Sequence, residues 1–284
     1  MVACLTVVAG TPIAAQNGLT AAQAAGMRTP GGVRIAPDGK SVAYVLTVPN
    51  LEESSQNSDV WLVPAAGSEA IRLTNSKASD DRPEWSPNGQ WIGFVSTRDG
   101  KPQLYRISPF GGEAEKLTDT KTGVQSFAWA PDGRRIAFVA QRDPTPDEEK
   151  KEKDKDDAIV VDRHFIPAHL SIFDLESRKT TELVKGDYQI SGLAWSPDGK
   201  QIAFATVPTP RADDYRYSDV LIADVASGAT RRLIDNPGAD SDPAWSPDGA
   251  WIALRTKPDT AVSVSQSRLA VVPSGGGTPR LLAA

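Results

Sequence analysis

The chain has 284 residues, 39% hydrophobic and 24% charged, the composition of an ordinary globular protein long enough for one large β domain or two smaller ones. A net charge of −5 excludes a general nucleic-acid surface, and a single cysteine, Cys4, excludes an internal disulfide. Lipid attachment at Cys4 would need a longer leader ahead of it.

The one apolar run, Val2 to Ala15, is interrupted by Thr6, Gly10, Thr11 and Pro12. It is too short for a membrane span, which takes about 20 residues. Its length and its small-residue end, Ala14-Ala15, fit the core of a signal peptide lacking its positive start. Residues 1–15 are therefore read as a clipped signal peptide and the protein as periplasmic or secreted. The alternatives are a disordered tail and a cytoplasmic location. Residues 16–31 follow as a short helix and linker. The helix runs from Leu19 to Met27, with Thr20 as its cap and Gln23 three residues on completing a capping box. Gly31-Gly32 is expected to end this segment.

From residue 32 one phrase recurs five times: Ala36-Pro37-Asp38-Gly39, Ser86-Pro87-Asn88-Gly89, Ala130-Pro131-Asp132-Gly133, Ser196-Pro197-Asp198-Gly199 and Ser246-Pro247-Asp248-Gly249. Proline presets φ for a tight turn, Asp or Asn can bond the backbone locally, and glycine takes the positive-φ position. Large residues alternate with small ones on either side, as in Phe127, Trp129, Ile136 and Phe138, so each phrase joins two antiparallel strands. A third strand follows, as at Val60-Trp61-Leu62-Val63 or Val220-Leu221-Ile222-Ala223. A fourth closes at Leu73, Leu117, Leu183, Leu233 or Leu281. The prolines at 37, 87, 131, 197 and 247 are 50, 44, 66 and 50 residues apart. Four short antiparallel strands repeated at about 40–50 residues describe β-propeller blades. The fold is all-β, with five four-stranded blades at about 32–74, 80–118, 124–184, 190–234 and 240–282. Sequence leaves open whether the ring is complete.

The long interval contains a charged insertion, 143–158. From Asp147 to Asp157 it carries eleven consecutive charges, seven acidic and four basic. Such a run cannot bury a core and forms an exposed loop or a short solvated helix. Ile159-Val160-Val161 beyond it suggests an extended hairpin standing off the third blade. The plain reading is a solvated insertion; the functional one is a loop that gates a partner or substrate.

The residues offer little chemistry. There is no Gly-x-Ser-x-Gly pentad, no phosphate-binding loop and no Gly-x-Gly-x-x-Gly. The two histidines, His164 and His169, have no nearby cysteine and suggest neither a triad nor a zinc site. His169 begins a third strand and is read as structural; His164 lies in the insertion, exposed. The turn aspartates recur once per blade, too far apart to share an ion. Glu52-Glu53 and Glu148-Glu149 could hold a peptide amine, but both pairs lie in polar stretches and read as solvated surface. Trp85, Trp129, Trp195 and Trp245 share one repeat position and read as core packing. No catalytic, cofactor-binding or metal-binding residue is assigned, and no cofactor.

The repeated Trp-Ser-Pro-Asp-Gly-Lys-x-Ile-Ala-Phe resembles the WD-like propeller repeat of the TolB-like class. The order of segments narrows this. It runs from Leu19-Thr20 and the helix, through Ala36 to Tyr44, Ser58 to Val63 and Leu73-Thr74, to the charged insertion before His169-Leu170 and then Asp187 to Gly199. Over nearly the whole chain this order resembles the N-terminal propeller of bacterial prolyl-oligopeptidase-family serine peptidases, of the acylaminoacyl-peptidase or dipeptidyl-aminopeptidase type. The resemblance implies a non-catalytic propeller gating peptide access to an α/β-hydrolase domain. Relatives usually have more blades followed by that domain. This chain has neither, so no catalytic residue carries over, and the expectation is a propeller truncated before its catalytic partner and inactive alone. Its expected partners are that domain and its peptide substrates, with no nucleic acid and no membrane span. The alternative is a stand-alone TolB-like periplasmic propeller acting as an interaction module. A metal- and histidine-rich propeller enzyme, such as a polysaccharide lyase, is disfavoured by two histidines.

Overall fold

The computed structural model describes residues 19–155, 165–257 and 267–282. Helix α1 (Ala21–Ala25) is short and wholly exposed, and it starts where sequence puts it. The Thr20 hydroxyl accepts from the Gln23 N–H, and the Gln23 side chain accepts from the Thr20 N–H at 3.0 Å. The first strand then begins at Thr29, so Gly31-Gly32 lies inside it rather than ahead of it; Gly32, at φ 57°, marks a bulge.

Five four-stranded antiparallel sheets follow, each a meander in chain order. Blade 1 holds β1 (Thr29–Ile35), β2 (Ser41–Asn50), β3 (Ser55–Pro64) and β4 (Ile71–Arg72). Blade 2 holds β5 (Asp80–Trp85), β6 (Ile92–Ser96), β7 (Gln103–Ile107) and β8 (Glu115–Lys116). Blade 3 holds β9 (Val124–Trp129), β10 (Arg135–Gln141), β11 (Ala168–Asp174) and β12 (Lys179–Val184). Blade 4 holds β13 (Gln189–Trp195), β14 (Gln201–Val207), β15 (Asp219–Asp224) and β16 (Thr230–Arg232). Blade 5 holds β17 (Asp240–Trp245), β18 (Trp251–Thr256), β19 (Arg268–Pro273) and β20 (Arg280–Leu281).

The repeated phrase is the first turn of every blade. In each, the glycine N–H donates to the carbonyl three residues back at 2.9 Å, and the five glycines have φ between 66° and 72°. The Asp or Asn carboxyl or amide oxygen accepts the N–H two residues on, at 2.8–3.1 Å. Where the phrase opens with serine, its hydroxyl donates to that same Asp or Asn and accepts the N–H that starts the next strand, as Ser196 does between Asp198 and Gln201. These bonds hold the Asp198 and Asp248 carboxyls below the usual range.

The core is a series of slabs between consecutive blades. On each second strand an aliphatic and an aromatic or leucine residue flank a small one: Ile92-Gly93-Phe94, Ile136-Ala137-Phe138, Ile202-Ala203-Phe204, Ile252-Ala253-Leu254. The large residues pack toward the preceding blade, and the small one faces the next. Ile92 and Phe94 thus meet Ala43, Val60 and Leu62 of blade 1, and Ile252 and Leu254 meet Ala203, Val220 and Ile222 of blade 4. The spacing is tight: a Cβ on Gly93 would lie 2.9 Å from the Phe127 ring of blade 3. Blade 5 does not close on blade 1. β1 is exposed throughout, Ile35 at 68%, and Trp251 on blade 5 is 40% exposed.

Of the two forms expected for the charged run, the short solvated helix is the one present: helix α2 spans Pro146–Asp154; Ile159-Val160-Val161, on which the extended hairpin rested, lies outside the described residues. Proline at the first helical position, acids in its first turn and lysines in its last favour the helix, and the i,i+4 charge pattern suits it.

Candidate functional site

The two rims of the arc differ. The rim of the Pro-Asp-Gly turns carries five first turns of one length and one bonding pattern, together with the short connections between third and fourth strands, four to seven residues each. The opposite rim carries the connections between second and third strands, at 51–54, 97–102, 142–167, 208–218 and 257–267. They differ in length and content, and length variation on a rigid scaffold is where recognition is placed. The candidate site is therefore this second rim and the passage beneath it.

Helix α2 is anchored on that rim. Thr145 caps it: its hydroxyl accepts the Glu148 N–H at 3.3 Å, and its own N–H donates to Glu148 Oε2 at 2.7 Å. Arg142, at the end of blade 3's second strand, holds both Glu148 oxygens at 2.7 Å. The Arg142 guanidinium, helped by the Thr145 N–H, pulls the Glu148 carboxyl down to about 2. Lys121, in the connection entering blade 3, reaches Glu149 at 2.7 Å. Further along, Phe165 lies under the Arg211 guanidinium of blade 4's loop at 5.4 Å. The same connection of blade 4 carries a short 3-10 turn, Ala212–Tyr217. Glu148 and Glu149 are thus tethering residues. Glu52 and Glu53 are exposed, their N–H groups donating to Asn50 Oδ1.

Beneath this rim the third and fourth strands are clasped by a pair thirteen residues apart: Asp59–Arg72 at 2.6 Å, His169–Glu182 at 2.7 Å, and Asp219–Arg232. His169 therefore fills the place of an aspartate and Glu182 that of an arginine, which accounts for the histidine structurally. His164 and Cys4 lie outside the described residues.

The inner strands line a cavity of about 560 Å³ touching Trp85, Trp129, Trp195 and Trp245. These tryptophans are more than packing. Each indole Nε1 donates to a carbonyl of the preceding blade: Trp85 to Arg34 at 3.0 Å, Trp129 to Glu84 at 3.2 Å, Trp195 to Ala128 at 3.1 Å and Trp245 to Ala194 at 3.1 Å. The acceptor is always the residue before the corresponding position one blade earlier. The recurrence of tryptophan at that position was visible in sequence; its bond to a neighbouring blade was not. Beside them Arg82 and Asp242 occupy the bulge position in the left-handed region, at φ 53° and 54°, where glycine stands in blades 1 and 4. Arg34 and Glu84 bridge blades 1 and 2 at 2.7 Å. Among the described residues no three His, Cys, Asp or Glu side chains converge.

Residues 13–162, more than half of the chain, match the family described as the TolB beta propeller domain. The uncharacterised peptidase YuxL of Bacillus subtilis is 35% identical over 74 residues, 26% of this chain and 11% of YuxL. By structure, acylaminoacyl peptidase of Pyrococcus horikoshii aligns with a TM-score of 0.65 at 18% identity, covering 91% of this chain and 40% of that one. TolB of Acinetobacter baumannii aligns with a TM-score of 0.55 at 16% identity, covering 93% and 72%. The structural matches share the fold, and the aligned region is a small part of the curated peptidase.

Proposed function

The chain belongs to the TolB β-propeller domain family, and from that premise we propose that it is the non-catalytic propeller region of a serine-type peptidase, admitting peptides to an α/β-hydrolase domain outside this chain. The observation that carries the reading is the sequence match to a peptidase. The rim of unequal loops, with α2 fastened across the entry to blade 3, supplies a physical means. A propeller over an active site selects by access: short or unfolded chains reach the reacting groups, and folded ones are held away. This chain contains no Gly-x-Ser-x-Gly nucleophile turn, so alone it hydrolyses nothing. Export to the periplasm or beyond, through the apolar run ahead of residue 16, goes with this reading.

The test uses the full reading frame that includes this chain, with residues 146–154 intact or replaced by a Gly-Ser turn. Both forms are assayed on a dipeptide anilide and on a longer unfolded peptide. The expected result is cleavage of both substrates, with the replacement raising kcat/KM for the longer peptide roughly tenfold and leaving the dipeptide unchanged. An unchanged preference for length would remove α2 from the gate.

The alignment with TolB over 72% of that chain favours a second reading, a propeller that binds partner proteins without chemistry. A full reading frame devoid of peptidase activity would select it.

A further inference from the structure

Two of the joints between blades are built from the same polar positions but balanced differently. At the joint of blades 1 and 2, Asp59 and Asp80 are both buried. Arg72 bonds Asp59 at 2.6 Å, and Arg98 Nη2 holds both Asp80 oxygens at 3.0 Å while its Nε donates to Ser96 Oγ at 2.8 Å. Two carboxylates meet two guanidiniums. At the joint of blades 4 and 5, Asp219 and Asp240 hold the equivalent places, and Thr256 stands opposite Asp240 as Ser96 stands opposite Asp80. Arg232 pairs with Asp219. The residue eighteen beyond Asp80 is Arg98; the residue eighteen beyond Asp240 is Pro258. Among the described residues no second guanidinium bonds Asp240.

Asp240 is nonetheless fully buried. What faces it is the Thr256 hydroxyl and the Asn236 amide, whose Nδ2 lies 3.3 Å from Asp240 Oδ1, 3.1 Å from Thr256 Oγ1 and 3.3 Å from the Lys257 carbonyl. Three oxygens converge on a nitrogen with two hydrogens to give. Asp240 Oδ2 and Asn236 Oδ1 are buried and have no hydrogen-bond partner among the described residues. Buried acceptors in excess of donors, around a full carboxylate, are costly in a protein interior and are the donor set of a hard cation.

We propose that the joint of blades 4 and 5 binds a hard, oxygen-seeking cation of the calcium class where the first joint carries the Arg98 guanidinium. Its ligands are the Asp240 carboxylate, Thr256 Oγ1, the Lys257 carbonyl and the Asn236 side-chain oxygen, brought in by turning the amide over. Water completes the shell. Only one ligand is charged, so binding is weak, with a Kd on the order of 10⁻⁴–10⁻³ M. The cation ties the connection entering blade 5, at Asn236, to the end of β18, and so fastens blade 5 onto blade 4. Burial, and to a lesser extent the neighbouring Asp219 charge, push the Asp240 carboxyl up to about 6 against the opposing pull of Thr256, Asn236 and Arg232.

The experiment follows thermal unfolding of the 284-residue chain, stripped with chelator and held well above pH 6 so that Asp240 is charged. CaCl₂, MgCl₂ and NaCl are added at matched ionic strength. A saturable rise in Tm of roughly 5 °C at hundredfold excess over Kd is expected with calcium and a smaller one with magnesium. Asp240→Asn abolishes the response and unfolds at a higher temperature than the metal-free parent. Asn236→Ala weakens calcium binding at least tenfold by isothermal titration, a readout that stands if the aspartate variant fails to fold. The proposal is overturned if calcium does no more than matched sodium, if Asp240→Asn keeps the response, or if Asn236→Ala binds calcium as the parent does.

Discussion

At the scale of single residues, the same side chain does different work according to its partner. The four aspartates among the five first turns are exposed, and each closes on the N–H two residues away, so local chemistry explains them. Asp80 and Asp240 share one repeat position, yet one is neutralised by Arg98 and the other faces an amide. The titration of Asp240 is therefore a measurable consequence. Its folded pKa, about 6, lies above the ordinary value of 3.8, so the folded chain holds that proton more tightly than the unfolded one. This contribution to stability is complete below about pH 4 and is lost as pH rises through 6. In metal-free buffer, urea unfolding of the parent should show this loss, of about 2–3 kcal/mol, and Asp240→Asn should flatten the profile over that window. A slope unchanged in the variant would place the titration elsewhere. Neither behaviour could be read from the local sequence, because the two aspartates hold the same place ahead of a Pro-x-Trp and differ in a residue eighteen positions on.

At the scale of elements, the strands and first turns were legible because their causes are local: Pro, Asp and Gly in order, then period-two alternation. The joints between blades were only half legible. The repeated tryptophan announced a packing position, but its indole N–H reaches a carbonyl between 45 and 67 residues earlier, a pairing that no local pattern encodes. Trp195→Phe keeps an aromatic ring and removes that bond to Ala128, leaving a carbonyl at a buried joint without its donor. It should lower stability by about 1–3 kcal/mol in a denaturant titration. The same change at exposed Trp251, whose ring lies under Arg280, should cost much less; equal losses would show that the indole bond contributes little. The charged insertion shows the opposite limit. Its composition excluded a core but not a form. The helix depends on caps and tethers supplied by Thr145, Arg142 and Lys121, two of them well outside the charged run.

At the scale of the whole molecule, the arc has two unlike ends. Blade 1 presents Val33 and Ile35, exposed at 56% and 68%, and blade 5 presents Trp251 and Leu269, at 40% and 49%. Apolar faces of this kind favour association. Sedimentation velocity of the chain alone should show concentration-dependent self-association, and Ile35→Lys with Trp251→Lys should shift it toward monomer. A parent that stays monomeric across the same range would show that the open faces tolerate water.

Sequence alone determined the blade. Its turns, strand order and repeat number follow from residues that act on neighbours a few positions away. It also determined the family resemblance, since that rests on the order of those blades. The tertiary structure decided that the arc stays open, that the tryptophans latch each blade to the one before, that the charged run is a tethered helix, and that Asp240 is buried without a guanidinium. Each of these depends on groups brought together across blades, where the balance of charges and of donors against acceptors is set by packing and not by the spacing of residues along the chain.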